Sequence, residues 1–120
     1  MAEHNDFGKK GEDIAVDYLL SKGYSIVRRN YRWRSAEVDI IVAKDGILSF
    51  VEVKARRSAY FGEPELFVSR QKQKSYIQAA NAFVTENDRN EEVSFDIIAI
   101  VMNNGGTKIN HIESAFSILG

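Results

Sequence analysis

A chain of 120 residues suffices for one domain over 1–120, and 44% hydrophobic with 28% charged residues is too apolar for wholesale disorder. No apolar run approaches the roughly 18 residues that span a bilayer, the polar opening MAEHNDFGKKGED lacks the apolar core of a signal peptide, and without cysteine there are no disulfides or thiolate metal sites. A cytoplasmic protein away from any membrane is expected, and a net charge of −1 argues against a uniformly basic nucleic-acid binder.

Residues 7–22 predict a helix, because Phe7, Gly11, Ile14, Ala15, Tyr18 and Leu19 recur at helical spacing and Gly23 supplies the stop. Glu12 sits at the edge of that apolar arc, whereas Asp13 and Asp17 fall on the opposite side. YSIVRRNYRW reads as a strand that runs into a basic stretch. Tyr31 and Trp33 within it read as half-buried packing. AEVDIIVA and ILSFVEVKA form a second and third strand, joined through the hairpin signal Asp45-Gly46.

Residues 56–68 hold the only proline and predict a loop, in which Tyr60, Phe61 and Gly62 could form a flap. Ser69 is a candidate cap for a second helix reaching about Asn87, with Tyr76, Ala80, Phe83 and Val84 on one face. VSFDIIAIVM predicts a central strand covered on both faces, and the Asp96 inside it should pair with a buried donor. NNGG turns into a short strand at 107–112, and IESAFSI closes the chain, with a terminal helical turn as one option. The order αβββαββ predicts an α/β fold with a mixed central sheet flanked by helices.

Charge is spread unevenly. From Arg28 to Lys74 there are eleven Lys or Arg against six Asp or Glu, and the remainder holds five against eleven. Arg32, Arg34, Arg56, Arg57, Arg70, Lys72 and Lys74 are therefore candidates for a phosphate-facing surface, unless they are simply solvated. Arg70, Lys72 and Lys74 also open the second helix, whose amides favour anions.

Three charges do not fit an ordinary hairpin. Glu52 and Lys54 share one strand face with Leu48 and Phe50, a pattern that reads as the mouth of a cleft. Across the turn, Asp39 lies near the level of Glu52 or one or two residues beyond it. Two carboxylates at ~4 Å repel by several kcal/mol at an intermediate dielectric, so Lys and Arg or a metal must intervene. Oxygen ligands without Cys, and with His4 and His111 far from the motif, point to Mg²⁺ or Mn²⁺. Such an ion neutralises a scissile phosphate and acidifies a bound water, which Lys54 could orient or deprotonate. Glu12 could reach the same strand ends, or be a surface residue.

With these residues in place, the chain resembles the PD-(D/E)xK nuclease superfamily, whose restriction-endonuclease-like core runs αβββαβ. More closely, it is similar to the YraN family of small bacterial proteins, predicted endonucleases similar to archaeal Holliday-junction resolvases. The matching stretches are GEDIAVDYLLSKGYSIVRRNYR, AEVDIIV, FVEVKAR, VSRQKQ, FDIIAI and HIESAF, about residues 8–116. The resemblance implies a metal held by Asp39, Glu52 and the main-chain carbonyl of Val53, with Glu12, Asp39, Glu52 and Lys54 as the catalytic set.

It also implies DNA as substrate, with branched DNA as one option, and a resolvase-like role favours a homodimer. Ala36 replaces the glycine usual before the acidic segment. Gln-x-x-x-Tyr is absent at Gln73, since Ile77 follows four residues on, and this favours the resolvase-like branch. Two other readings accompany this one. The first is a nucleic-acid-binding module that needs a partner to cut. The second is an interaction domain in which the three charges form a structural ion cluster.

Overall fold

The computed structural model describes residues 2–58 and 68–117. Its elements are α1 (Ala2–Ser21), β1 (Ser25–Trp33), β2 (Ala36–Lys44), β3 (Ile47–Arg56), α2 (Arg70–Glu86), β4 (Glu92–Asn103) and β5 (Gly106–Phe116). This is the expected order, and the five strands form one mixed sheet in the order β1-β2-β3-β4-β5. β3 and β4 run parallel, with α2 as their crossover, and the other neighbours are antiparallel. The loop containing Tyr60, Phe61 and Gly62 lies outside the described residues. No helix among the described residues is long and apolar enough to cross a membrane.

Each helix covers one face. Ala15 and Leu19 of α1 pack on Ile40, Val42, Val51, Ile98 and Ile100, while Tyr76, Ala79, Ala80 and Phe83 of α2 pack on Val38, Ile41, Leu48, Phe50 and Ile97. β4 is thus buried on both faces, which explains its unbroken apolar run. Trp33 is half-buried against the α2-side core, as expected, and Tyr31 goes further and is buried in it. α1 sits very close to the sheet at Gly11, where an added Cβ would lie 2.8 Å from Cβ of Ala55. The missing side chain lets the helix, and Glu12 with it, press down on the end of β3.

The local signals behave as their chemistry requires. Asp45 and Gly46 both take positive φ in the β2–β3 turn. The Ser69 hydroxyl accepts the Lys72 amide at 3.1 Å and caps α2. The end of the chain departs from expectation. β5 continues to Phe116, so residues 113–116 extend the strand where a helical turn was one option.

The extension depends on Asp96, opposite which the β4–β5 register jumps between Phe95 and Ile97. Its carboxylate accepts from the Ser94 hydroxyl at 2.6 Å and from the Ser114 amide at 3.1 Å, and lies 2.8 Å from Nε2 of His111. Nδ1 of His111 in turn lies 3.3 Å from the Tyr18 hydroxyl of α1. A long-range side chain therefore holds the bulge, with Ser114 at φ +52.

Candidate active-site cleft

The β2–β3 ladder ends at Ile40↔Val51, one residue short of Asp39 and Glu52, which stand at the same level. Beyond that point the Asp39 carboxylate takes over the acceptor role and receives the Val53 amide at 2.8 Å. The pleat is broken at the same place. Val38 belongs to the α2-side core and Ile40 to the α1-side core, although strict alternation would put both on one face. On β1 the matching position is Asn30, in the left-handed region at φ +55, which asparagine tolerates. The kink turns Asn30 toward α1, and its amide donates to Glu12 at 3.1 Å.

Glu12 also receives Arg29 through Nη2 at 3.0 Å and Nε at 3.2 Å. Its side chain is only 15% exposed, so the marginal position on the helix becomes a wall of the cleft. Arg29 spans to Asp13 as well, at 2.8 Å, which fixes the guanidinium between two carboxylates.

Glu52 is buried, with both oxygens engaged from α2. The Tyr76 hydroxyl donates to Oε1 at 2.5 Å and the Lys72 ammonium pairs with Oε2. Lys72 and Tyr76 are one helical turn apart, so a single α2 face delivers both. Gln-x-x-x-Tyr is indeed absent, since a lysine stands four residues before Tyr76. The spacing exists as Lys72 and Tyr76, and α2 does contribute to the site.

One cavity of about 670 Å³ is lined by Glu12, Asp39, Glu52, Val53 and Lys54, together with Arg29, Arg56 and Lys72. The whole expected catalytic set thus converges from α1, β2 and β3. The basic residues divide. Arg56 and Lys72 line the cleft, whereas Arg32 pairs with Glu37 at 3.5 Å, Arg34 stacks over Trp33 and Arg57 over Phe7. Arg70 and Lys74 are exposed on the first turns of α2.

Burial, then the Glu52 charge, push the Asp39 carboxyl up to about 7, against the pull of the Val53 amide. Burial lowers the Lys54 ammonium below its ordinary value, against the opposing effect of Glu52. Burial, reinforced by Glu52 and Asp39, raises the Tyr76 phenol so far that it remains a donor. Among the described residues no group of three or more His, Cys, Asp or Glu is gathered for a metal, and Asp39 and Glu52 line the cleft with Glu12 and Glu37.

A family model described as Uncharacterised protein family UPF0102 matches residues 11–100, a span that includes every cleft residue named above. A UPF0102 protein of Christiangramia forsetii is 49% identical over 116 residues, covering 97% of this chain and 98% of its own. One from Bacteroides thetaiotaomicron is 44% identical over 116 residues, at 97% and 96% coverage. One from Syntrophomonas wolfei is 41% identical over 114 residues, at 94% and 99%.

Proposed function

The chain belongs to the UPF0102 family, and we propose that its cleft hydrolyses phosphodiester bonds in DNA as an endonuclease of the PD-(D/E)xK and YraN type. The observation that carries this is the convergence of Glu12, Asp39, Glu52 and Lys54, from three elements, on one open cavity with a basic rim. Asp39, Glu52 and the Val53 carbonyl would hold Mg²⁺, for which Mn²⁺ can substitute. When bound, that ion supplies charge neutralisation at the phosphate and a more acidic water. The donor set fits such a hard cation, because Asp39 is buried beside Glu52 and the Val53 amide and Lys72 charge only partly offset its charge.

The chain's own groups divide the remaining work. Lys54, its ammonium lowered by burial, orients the attacking water and takes part in moving its proton. Glu12 fixes Arg29 and Asn30 at the cleft wall. Arg56 offers charge to the DNA backbone from the rim, and Arg32, Arg34, Arg57, Arg70 and Lys74 extend that surface outward. On this reading the protein works in the cytoplasm on branched or irregular DNA, and a homodimer would match the two equivalent strands of a four-way junction.

A second reading draws on the pairing of Glu52 with Lys72 and Tyr76, which closes the acidic cluster internally. It makes the protein a nucleic-acid-binding module that cuts only with a partner. One experiment separates the two. Purified protein is offered labelled four-way junctions, flaps, single strands and plain duplex with Mg²⁺, Mn²⁺ or EDTA, beside Asp39→Ala and Lys54→Ala. Metal-dependent cutting lost in both variants supports the nuclease. Binding without cutting in every condition supports the module.

A further inference from the structure

Glu52 has two partners of unequal permanence. Tyr76 is 1% exposed and belongs to the α2-side core, so its hydroxyl cannot leave without unpacking the helix. Lys72 approaches from the first turn of α2 with its side chain 45% exposed, against 6% for Glu52. It also forms a wall shared by the main cleft and a second cavity of about 280 Å³, lined by Ser35, Glu37, Ser69 and Ser75. The ammonium therefore has room to withdraw while the carboxylate stays. Arg70 and Lys74 beside it keep that corner positive, so an incoming phosphate is drawn to the same place.

A buried carboxylate next to a second one needs a proton or a cation, and here the chain carries a cation of its own. We infer that Lys72 is a built-in counter-ion of Glu52, which a divalent cation must displace and a DNA phosphate draws away, so that metal and DNA bind cooperatively. This rests on the metal-dependent nuclease reading and adds its regulation. With the ammonium on Glu52, the metal meets a site that is competent only for a fraction of the time, and its apparent affinity falls by that fraction. A phosphate that accepts Lys72 restores the affinity. By linkage, the metal then tightens DNA binding by the same factor. The result is a protein that holds metal firmly only when a substrate is in place.

The test titrates Mn²⁺ by calorimetry into the wild type, Lys72→Met, Lys72→Gln and Asp39→Asn without DNA. Lys72→Met and Lys72→Gln should bind Mn²⁺ about tenfold or more tighter than the wild type, and Asp39→Asn should not bind it. In a Lys54→Ala background, adding a synthetic four-way junction should tighten Mn²⁺ binding when Lys72 is present and leave it unchanged in Lys72→Met. Thermal melting in EDTA reads the counter-ion without any metal. Lys72→Met should melt lower than the wild type, and adding Glu52→Gln should restore the lost stability.

Equal Mn²⁺ affinity in the wild type and both Lys72 variants, lost in Asp39→Asn, overturns the displacement and leaves the metal reading standing. Absence of Mn²⁺ binding in every protein, Lys72→Met included, overturns both. A melting loss that Glu52→Gln does not restore overturns the pairing itself.

Discussion

β3 and β4 run side by side, and each buries a carboxylate, one on either face of the sheet. Asp96 on β4 faces α1 and accepts from a serine hydroxyl and a main-chain amide, with His111 sealed against it at 7% side-chain exposure. Glu52 on β3 faces α2 and depends on a phenol and on an ammonium that is half in water. Both networks reach a tyrosine of the covering helix, Tyr18 in one case and Tyr76 in the other. Asp96 stands alone among fixed donors, whereas Glu52 has Asp39 beside it, whose carboxyl is held up to about 7 by burial and by the Glu52 charge. The first arrangement holds a bulge in place. The second keeps charge in reserve at a cleft, the condition expected of a site rather than a strut.

The comparison breaks most sharply at cleavage. Asp39→Ala or Lys54→Ala should each reduce cutting of a labelled junction by about 10³-fold, while Asp96→Asn should leave the rate per folded molecule within about twofold. Loss of cutting in Asp96→Asn at full folding would make the two carboxylates one system. Stability should show the reverse ranking. Asp96→Ala removes the acceptor for three groups and should cost about 3 kcal/mol in urea unfolding, together with faster exchange of the Ser114 amide.

Acidity sharpens the contrast further. The carboxyl of Asp39 is raised in the folded state, so its contribution to stability is full below the ordinary carboxylate range near 4 and is lost as pH rises through about 7. Metal-free protein should therefore lose stability between about pH 4 and 7. Asp39→Asn should remove that slope and gain on the order of 2 kcal/mol at pH 8, read from denaturant midpoints at each pH. A slope that persists in the variant would assign it elsewhere. The smallest effect concerns the mount of the cleft's α2 partners. Ser69→Ala removes the cap of the turn that carries Lys72 and should cost about 1 kcal/mol, with the Lys72 amide losing its protection from exchange.

What the sequence revealed was mostly local. The helix stop at Gly23, the Asp45-Gly46 turn and the Ser69 cap each follow from one or two residues, and the structure shows all three. The acidic level of the hairpin was also legible, because antiparallel register follows from the turn. The bulge in β5 was not, since the group that holds it open is a side chain of another strand. The role of α2 was hidden for a similar reason. Whether Lys72 and Tyr76 meet Glu52 depends on how the crossover helix lies over β3, and no pattern inside RQKQKSYIQAANAF fixes that angle. The kink at Asn30 and Asp39 was not legible either, because positive φ at an asparagine leaves no periodic trace.

The end of the β2–β3 ladder has a use beyond chemistry. The Val53 amide is bonded to Asp39 where a neighbouring strand would otherwise supply a carbonyl. Its proton shift and exchange rate must follow whatever happens to that carboxylate, whether it is protonated, released or drawn to another positive centre. A single resolved peak in a nitrogen–proton spectrum would thus report the state of the cleft in real time, with no label attached and no substrate consumed.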